Sequence, residues 1–189
     1  MKRMAITNIS IKSKEISAES IKFTKKTRIW CRLPYPNHPK GCPNYDKNPF
    51  CPPTAKYMVE ILEIFSYFYL IFAEFNLKEH KERMKKLYPN WSERQSACVL
   101  YWQSSVKKSL KNYIFEVYMK NKTQSKYLLS CGSSFRLPEI NQKEIYSMEA
   151  GGIDVLNTLK ANRIQFETKP RDNVLLVNLL CSNEPLVIG

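Results

Sequence analysis

Residues 31–53 constrain the fold of this chain more than any other segment. They hold seven of the 11 prolines and three of the six cysteines in a chain of 189 residues. Proline lacks an amide donor and fixes its own backbone angle, so this segment can neither pair into a sheet nor form a regular helix. An irregular loop of this length is uncommon inside a compact domain. We therefore expect a cross-link to hold it, and the cysteines are the candidates.

The three cysteines of this segment, Cys31, Cys42 and Cys51, are spaced C-x10-C-x8-C, which suits a metal site. Thiolates favour zinc or an iron–sulfur cluster over magnesium or calcium. A proline-stiffened loop can bring three thiolates together at little cost in chain entropy, and Gly41 allows the backbone to approach a cluster closely. His38 is an alternative ligand for zinc, and three unligated thiols are the other alternative.

Hydrophobic residues make up 43% of the chain, enough to form a core. Residue patterns predict strands within 7–30 and at 65–75, 126–131 and 173–181, and helices at 55–64, 78–87 and 148–162. Ser92 and Gln95 form a capping-box pattern that predicts a long helix, with an apolar stripe from Val99 through Trp102 to Val117. We predict a single compact domain over 1–189, of class α+β or mixed-sheet α/β. It divides into N-terminal strands (1–30), the cysteine loop (31–53) and an α/β body (54–189).

The chain is strongly basic, with 30 Lys and Arg against 17 Asp and Glu and a net charge of +13. Such a balance favours polyanionic partners such as nucleic acid. Because 22 of the basic residues are Lys, AT-rich coding explains the same excess equally well. A functional basic face would combine the following residues: Lys22, Lys25, Lys26, Arg28, Lys107, Lys108 and Lys111.

No stretch reaches the ~18 consecutive apolar residues that span a bilayer. The basic N-terminus has no apolar segment behind it, unlike a signal peptide. We therefore expect a cytoplasmic protein without a membrane partner, in which the cysteines are thiols or metal ligands and not disulfides. We expect His80, in a run of charged residues, to be exposed, and Cys98 and Cys181 to lie in the core.

Two segments resemble a known family. They are Gly41-Cys42-Pro-Asn-Tyr45 with the flanking Cys31 and Cys51-Pro-Pro53, and Cys131-Gly132 followed by Ser147-Met-Glu-Ala-Gly-Gly-Ile-Asp-Val155. Both are similar to the cysteine-rich predicted metal-binding proteins of unknown function. The resemblance implies a metal or Fe–S site on Cys31, Cys42 and Cys51, with Cys131 as the best fourth ligand ahead of Cys181 and His38.

Together these features predict a metal-binding protein that holds one [4Fe–4S] cluster on Cys31, Cys42, Cys51 and Cys131. Its role would be electron transfer, with a redox partner, or Lewis-acid chemistry at an open iron. The alternative is a nucleic-acid-binding module that a Zn²⁺ ion stabilises and that has no catalytic activity. With two histidines in the chain and no paired-carboxylate motif, the sequence assigns no catalytic residue.

Overall fold

The computed structural model of the protein describes residues 9–34, 38–122, 125–130, 132 and 145–188. Within these ranges, four strands form one antiparallel sheet in the order β1-β2-β4-β3. The strands are β1 (Ile9–Ile16), β2 (Tyr67–Asn76), β3 (Lys126–Leu129) and β4 (Asn173–Ser182). The predicted strands at 65–75 and 173–181 are confirmed as β2 and β4. The four residues of β3 confirm the described part of the strand predicted at 126–131.

The central strands β2 and β4 pair along their whole length, from Tyr67 opposite Ser182 to Asn76 opposite Asn173. Successive side chains of a strand point to opposite faces of the sheet. Phe68, Leu70, Phe72, Val177 and Leu179 enter one core layer, on a side that we call the loop face. Tyr69, Ile71, Ala73 and Leu180 enter the other layer, on a side that we call the helix face. Since both layers are buried, the two strands are apolar almost throughout.

Six helices surround the sheet in the described part of the chain. They are α1 (Lys26–Trp30), α2 (Val59–Leu62), α3 (Leu77–Leu87), α4 (Glu93–Ser96), α5 (Gln103–Lys120) and α6 (Val155–Ala161), with 3₁₀ turns at Ala18–Ser20 and Val99–Tyr101. Helix α3 confirms the helix predicted at 78–87, and the Asn76 side chain caps it by accepting from the Glu79 N–H. The result is a single compact domain of class α+β, as predicted.

The long helix begins later than the sequence predicted. The Ser92–Gln95 capping box forms, but α4 ends at Ser96, and α5 begins only at Gln103. Trp102 interrupts the helix, since its ring stacks on Phe75 at 4.8 Å and its Nε1–H donates to the Ala97 carbonyl. The stripe therefore omits Val99, which is 47% exposed. It covers the helix face of the sheet with the buried residues Trp102, Val106, Leu110, Ile114 and Val117.

Short elements cover the loop face instead of the two longer helices predicted at 55–64 and 148–162. Residues 148–152 form turns because Gly151 and Gly152 pack against the segment that contains Tyr57 and Met58. A Cβ at Gly151 would come within 2.3 Å of Met58 Cγ, and one at Gly152 within 2.0 Å of the Tyr57 ring. This Gly pair therefore permits close packing of the two segments.

The N-terminal region is only partly strand. β1 forms as predicted, and Phe23 makes an isolated bridge to Ile153. Ile29, expected in a strand, belongs to helix α1. That helix leads directly into the cysteine loop.

His80 is buried, with 3% of its surface exposed, so the expectation of an exposed histidine is wrong. Its ring lies 5.4 Å from that of Phe75, between α3 and the helix face. Neither ring nitrogen has a hydrogen-bond partner among the described residues. Burial, and secondarily the nearby Arg83 cation, lower the pKa of His80. The amphipathic character of α3 outweighed the charge of the surrounding sequence.

We expect this histidine to make stability depend on pH. The unfolded state protonates His80 near pH ~6.5, whereas the folded state protonates it only at lower pH. The stability it contributes is therefore complete above pH ~6.5 and is lost as the pH falls towards the folded-state pKa, by at most about 1.4 kcal/mol per pH unit. His80→Phe should remove this component. Urea unfolding at pH 7.5 and pH 5.5 tests this, and an unchanged pH dependence in the variant would contradict it.

Candidate metal centre

The cysteine loop is closed at its base by a single arginine. Arg28, on α1, donates from its guanidinium to the carbonyl oxygens of Pro53 and Ala55, each at 2.7 Å. Cys31 follows α1 directly, and Cys51 lies just before the two clamped carbonyls. One charged side chain thus fixes both ends of a segment that has no regular secondary structure of its own.

The middle of the loop folds back onto its beginning. The Cys42 N–H donates to the Cys31 carbonyl at 2.7 Å. Gly41 makes this possible with a left-handed backbone, at φ +83°, and a Cβ at this position would lie 2.4 Å from the Cys31 carbonyl oxygen. The sequence suggested that Gly41 admits a cluster, and the structure gives it another use. It admits the neighbouring backbone, which holds Cys31 and Cys42 side by side.

A series of turns positions Cys51. Its N–H donates to the Asn48 carbonyl at 2.9 Å, and the Asn48 side chain accepts from the Phe50 N–H. The Cys51 carbonyl in turn accepts from the Ala55 N–H at 2.9 Å. The Phe50 ring meets the Tyr146 ring edge-on, with centroids 5.3 Å apart. This contact attaches the loop to the segment that follows residue 144.

The three loop thiols share one electrostatic environment. Burial raises the pKa of Cys31, and Cys42, Cys51 and Glu149 raise it further because each carries a negative charge when ionised. Burial and Cys42 likewise raise the pKa of Cys51. All three cysteines are partly buried. Each of these negative charges opposes ionisation of Cys31 or Cys51, and a bound cation would relieve that effect.

Among the described residues, no three His, Cys, Asp or Glu side chains are placed to share a single metal ion. The predicted fourth ligand, Cys131, lies outside the described residues, so the set of four cysteines stays a prediction. Its neighbours on both sides are described. Ser130 bridges to Ser147, and the Gly132 N–H donates to Glu149 Oε2 at 3.2 Å.

The alternative ligands differ in position. Cys181 is completely buried in the loop-face core, opposite Phe68 and Tyr127, and burial raises its pKa strongly. The expectation that it is a core residue is confirmed. Cys98, expected in the core, is only partly buried and precedes the 3₁₀ turn before α5. His38 is partly buried within the loop, and its carbonyl accepts from the Gly41 N–H.

The charge of Glu149 acts on Cys31, and the sequence assigned this residue no role. It is partly buried between the buried residues Met148 and Ala150, and burial raises the pKa of its carboxyl group. Its charge influences Cys31, which is more than a hundred residues away in the chain. The one available signal was its position within the second family-like segment, between two apolar residues.

The predicted basic face is wrong as a single surface. Lys107, Lys108 and Lys111 belong to α5, which covers the helix face. The segment of Lys22, Lys25 and Lys26 lies on the loop face, where the Thr24 N–H donates to the Gly152 carbonyl. Arg28 is engaged in clamping the loop. Nucleic-acid binding itself stays a prediction.

The contact at Gly41 predicts a large effect of one methyl group. Gly41→Ala should cost about 1–2 kcal/mol for the left-handed backbone and about 1–3 kcal/mol more for the overlap with the Cys31 backbone. Gly132→Ala is the matched control, since Gly132 has φ +75° but no described residue comes within 4 Å of the added Cβ. Urea unfolding of both variants compares the two costs. Equal destabilisation would contradict the close approach at Gly41.

No helix in the described part of the chain has the length and apolar character needed to cross a bilayer.

Comparison with known proteins gives one match. No curated protein and no solved structure matches the chain. A family model described as predicted metal-binding protein (DUF2284) matches residues 14–181, which include the whole cysteine loop and the Glu149 segment. Because the match spans most of the sequence, the chain belongs to this family of predicted metal-binding proteins.

Proposed function

We propose that this protein holds a [4Fe–4S] cluster through Cys31, Cys42, Cys51 and Cys131. The observation that carries the proposal is the gathering of the loop cysteines: the Cys42 N–H donates to the Cys31 carbonyl, and burial, followed by the charges of Cys42 and Cys51, raises the pKa of Cys31. Thiols gathered in this way, on a loop without a core of its own, gain most from a cation that binds them as thiolates. Thiolate donors favour soft metals, and membership of a metal-binding family agrees with this.

The spacing of the donors favours a cluster over a single zinc ion. Four ligands bound to one zinc at about 2.3 Å have their sulfurs roughly 4 Å apart. No three candidate donors in the described ranges are placed to share one ion. The ligand sulfurs of a cluster are more widely spaced, since each thiolate binds a different iron. A loop whose thiols interact without meeting at one point therefore suits a cluster better.

The neighbours of Cys131 support its place as the fourth ligand. The Tyr146 ring contacts Phe50 of the loop, and the charge of Glu149 acts on Cys31. Their segment is joined to the residues on either side of Cys131. Ser130 N–H donates to the Tyr146 carbonyl at 2.9 Å, and Gly132 N–H donates to Glu149.

A cluster in this position would supply one-electron transfer or Lewis-acid chemistry at an iron with an open position. The protein residues would hold it: the four cysteines as ligands, and Arg28 and Gly41 by fixing the backbone that carries them. Electron transfer would require a redox partner. The partial exposure of all three loop cysteines leaves the site open to one.

Anaerobic purification followed by analysis of iron, sulfide and zinc tests the proposal. We expect about four irons and four sulfides per chain, with the broad visible absorption of an iron–sulfur protein. One zinc per chain in a colourless protein would contradict the cluster and favour the zinc-stabilised nucleic-acid-binding module. Purified protein that contains and takes up no metal would contradict metal binding altogether.

Serine substitutions test the ligand set. Cys42→Ser and Cys131→Ser should each lose most of the cluster, because an oxygen ligand replaces a thiolate. Cys98→Ser is the matched control, since Cys98 is also partly buried but lies near α5 on the other side of the sheet. Iron content per folded chain is the measurement. Retention of the full iron content in Cys131→Ser would exclude Cys131 and return His38 to consideration.

A further inference from the structure

The backbone at Glu149 is fixed from several directions. The Met148 N–H donates to the Ser130 carbonyl at 2.7 Å, and the Glu149 carbonyl accepts from the Gly152 N–H at 3.1 Å. The next residue, Ala150, is buried, and its N–H donates to the Ser147 side chain. Glu149 is thus held on a rigid turn, and its carboxylate occupies a defined place beside the cysteine loop.

The carboxylate has hydrogen-bond donors but no basic partner in the described part of the chain. Its Oε2 accepts from the Gly132 N–H at 3.2 Å, and the Ser147 hydroxyl also donates to it. The ion pairs within the described ranges involve other glutamates, Glu74 and Glu93. In a chain with a net charge of +13, a partly buried carboxylate that has no Lys or Arg partner among the described residues needs an explanation.

The charged groups near Glu149 are of its own sign. Ionised Cys31 repels it, and Cys42 and Cys51 interact with Cys31 in the same way. Burying an unpaired charge is costly, and placing it near the potential thiolate of Cys31 increases the cost. A cation at the cysteine loop would reverse this, because each negative charge then contributes attraction instead of repulsion.

We propose that Glu149 is part of the metal site: a fixed carboxylate whose negative charge, added to those of Cys31, Cys42 and Cys51, strengthens cation binding at the cysteine loop. This inference rests on the proposed function and adds to it a residue that is not a cysteine. The carboxylate acts through space on the bound cation and need not be a ligand. Its hydrogen bond to Gly132 also attaches the site to the residue that follows Cys131.

Zinc affinity of the reduced, metal-free protein, measured by competition with a chromophoric chelator, tests the proposal. Glu149→Gln removes the charge but retains an oxygen that can accept from the Gly132 N–H. We expect it to bind zinc about tenfold more weakly, because the variant lacks one negative charge that attracts the cation. Glu60→Gln, at an exposed position on α2, is the matched control and should bind zinc as the wild type does.

Glu149→Asp separates charge from shape. Because it keeps the charge, it should recover most of the affinity lost in Glu149→Gln. Equal loss in the two variants, or no loss in Glu149→Gln, would overturn the role of the charge. If Glu149→Gln does not fold, Glu149→Ser, which removes the charge without burying an amide, takes its place.

The two proposals fail in different ways. Wild-type protein that binds neither zinc nor iron would overturn the proposed function, and this inference with it. Wild-type protein that binds zinc with the same affinity as Glu149→Gln would overturn only the role of Glu149. The unfolding free energies of the metal-free variants show whether a change in affinity reflects the site or a change in the fold.

Discussion

The full-length pairing of β2 with β4 is the constraint on which the rest of this structure depends. Ten residues of each strand are in register, and both strands carry apolar side chains on both faces. A sheet of this kind must be covered twice. The amphipathic helix α5 covers one face. The other is covered only by short helices and turns, and it is there that a loop without regular structure can be attached to a rigid support.

The cysteine loop is held by polar and backbone contacts in place of an apolar core. Arg28 clamps its ends, Gly41 brings Cys42 against Cys31, and the Phe50–Tyr146 contact joins it to the body. These contacts bring like-charged groups together. The thiols and the Glu149 carboxyl group are all negative when ionised, and this carboxyl group has no basic partner within the described residues. Their repulsion makes ionisation of the thiols costly, and a bound metal ion would offset that cost. The polar contacts that hold the loop therefore also bring together groups whose repulsion a bound cation would reduce.

Sequence periodicity identified the faces of the elements better than their ends. The apolar stripe of α5 and the burial of β2 follow from residue spacing, whereas the start of α5 depends on the stacking of Trp102 on Phe75. The helix predicted over 148–162 is shortened because two glycines pack against Tyr57 and Met58. His80 was misjudged for a related reason. Lys78, Glu79 and Glu82 are exposed on α3, whereas the His80 ring meets Phe75.

The sequence by itself determined that residues 31–53 form an irregular, cysteine-bearing loop. Each proline lacks an amide donor and has a fixed backbone angle, so it excludes regular helix and sheet at its own position. The sequence also determined the two central strands, through their runs of β-branched, aromatic and leucine residues. Only the tertiary structure decided that the charge of Glu149 acts on Cys31, and that the lysines of α5 and those near α1 lie on opposite sides of the sheet. These relations join residues that are far apart in the chain. They are set by sheet register and by the packing of turns, which no local pattern of residues encodes.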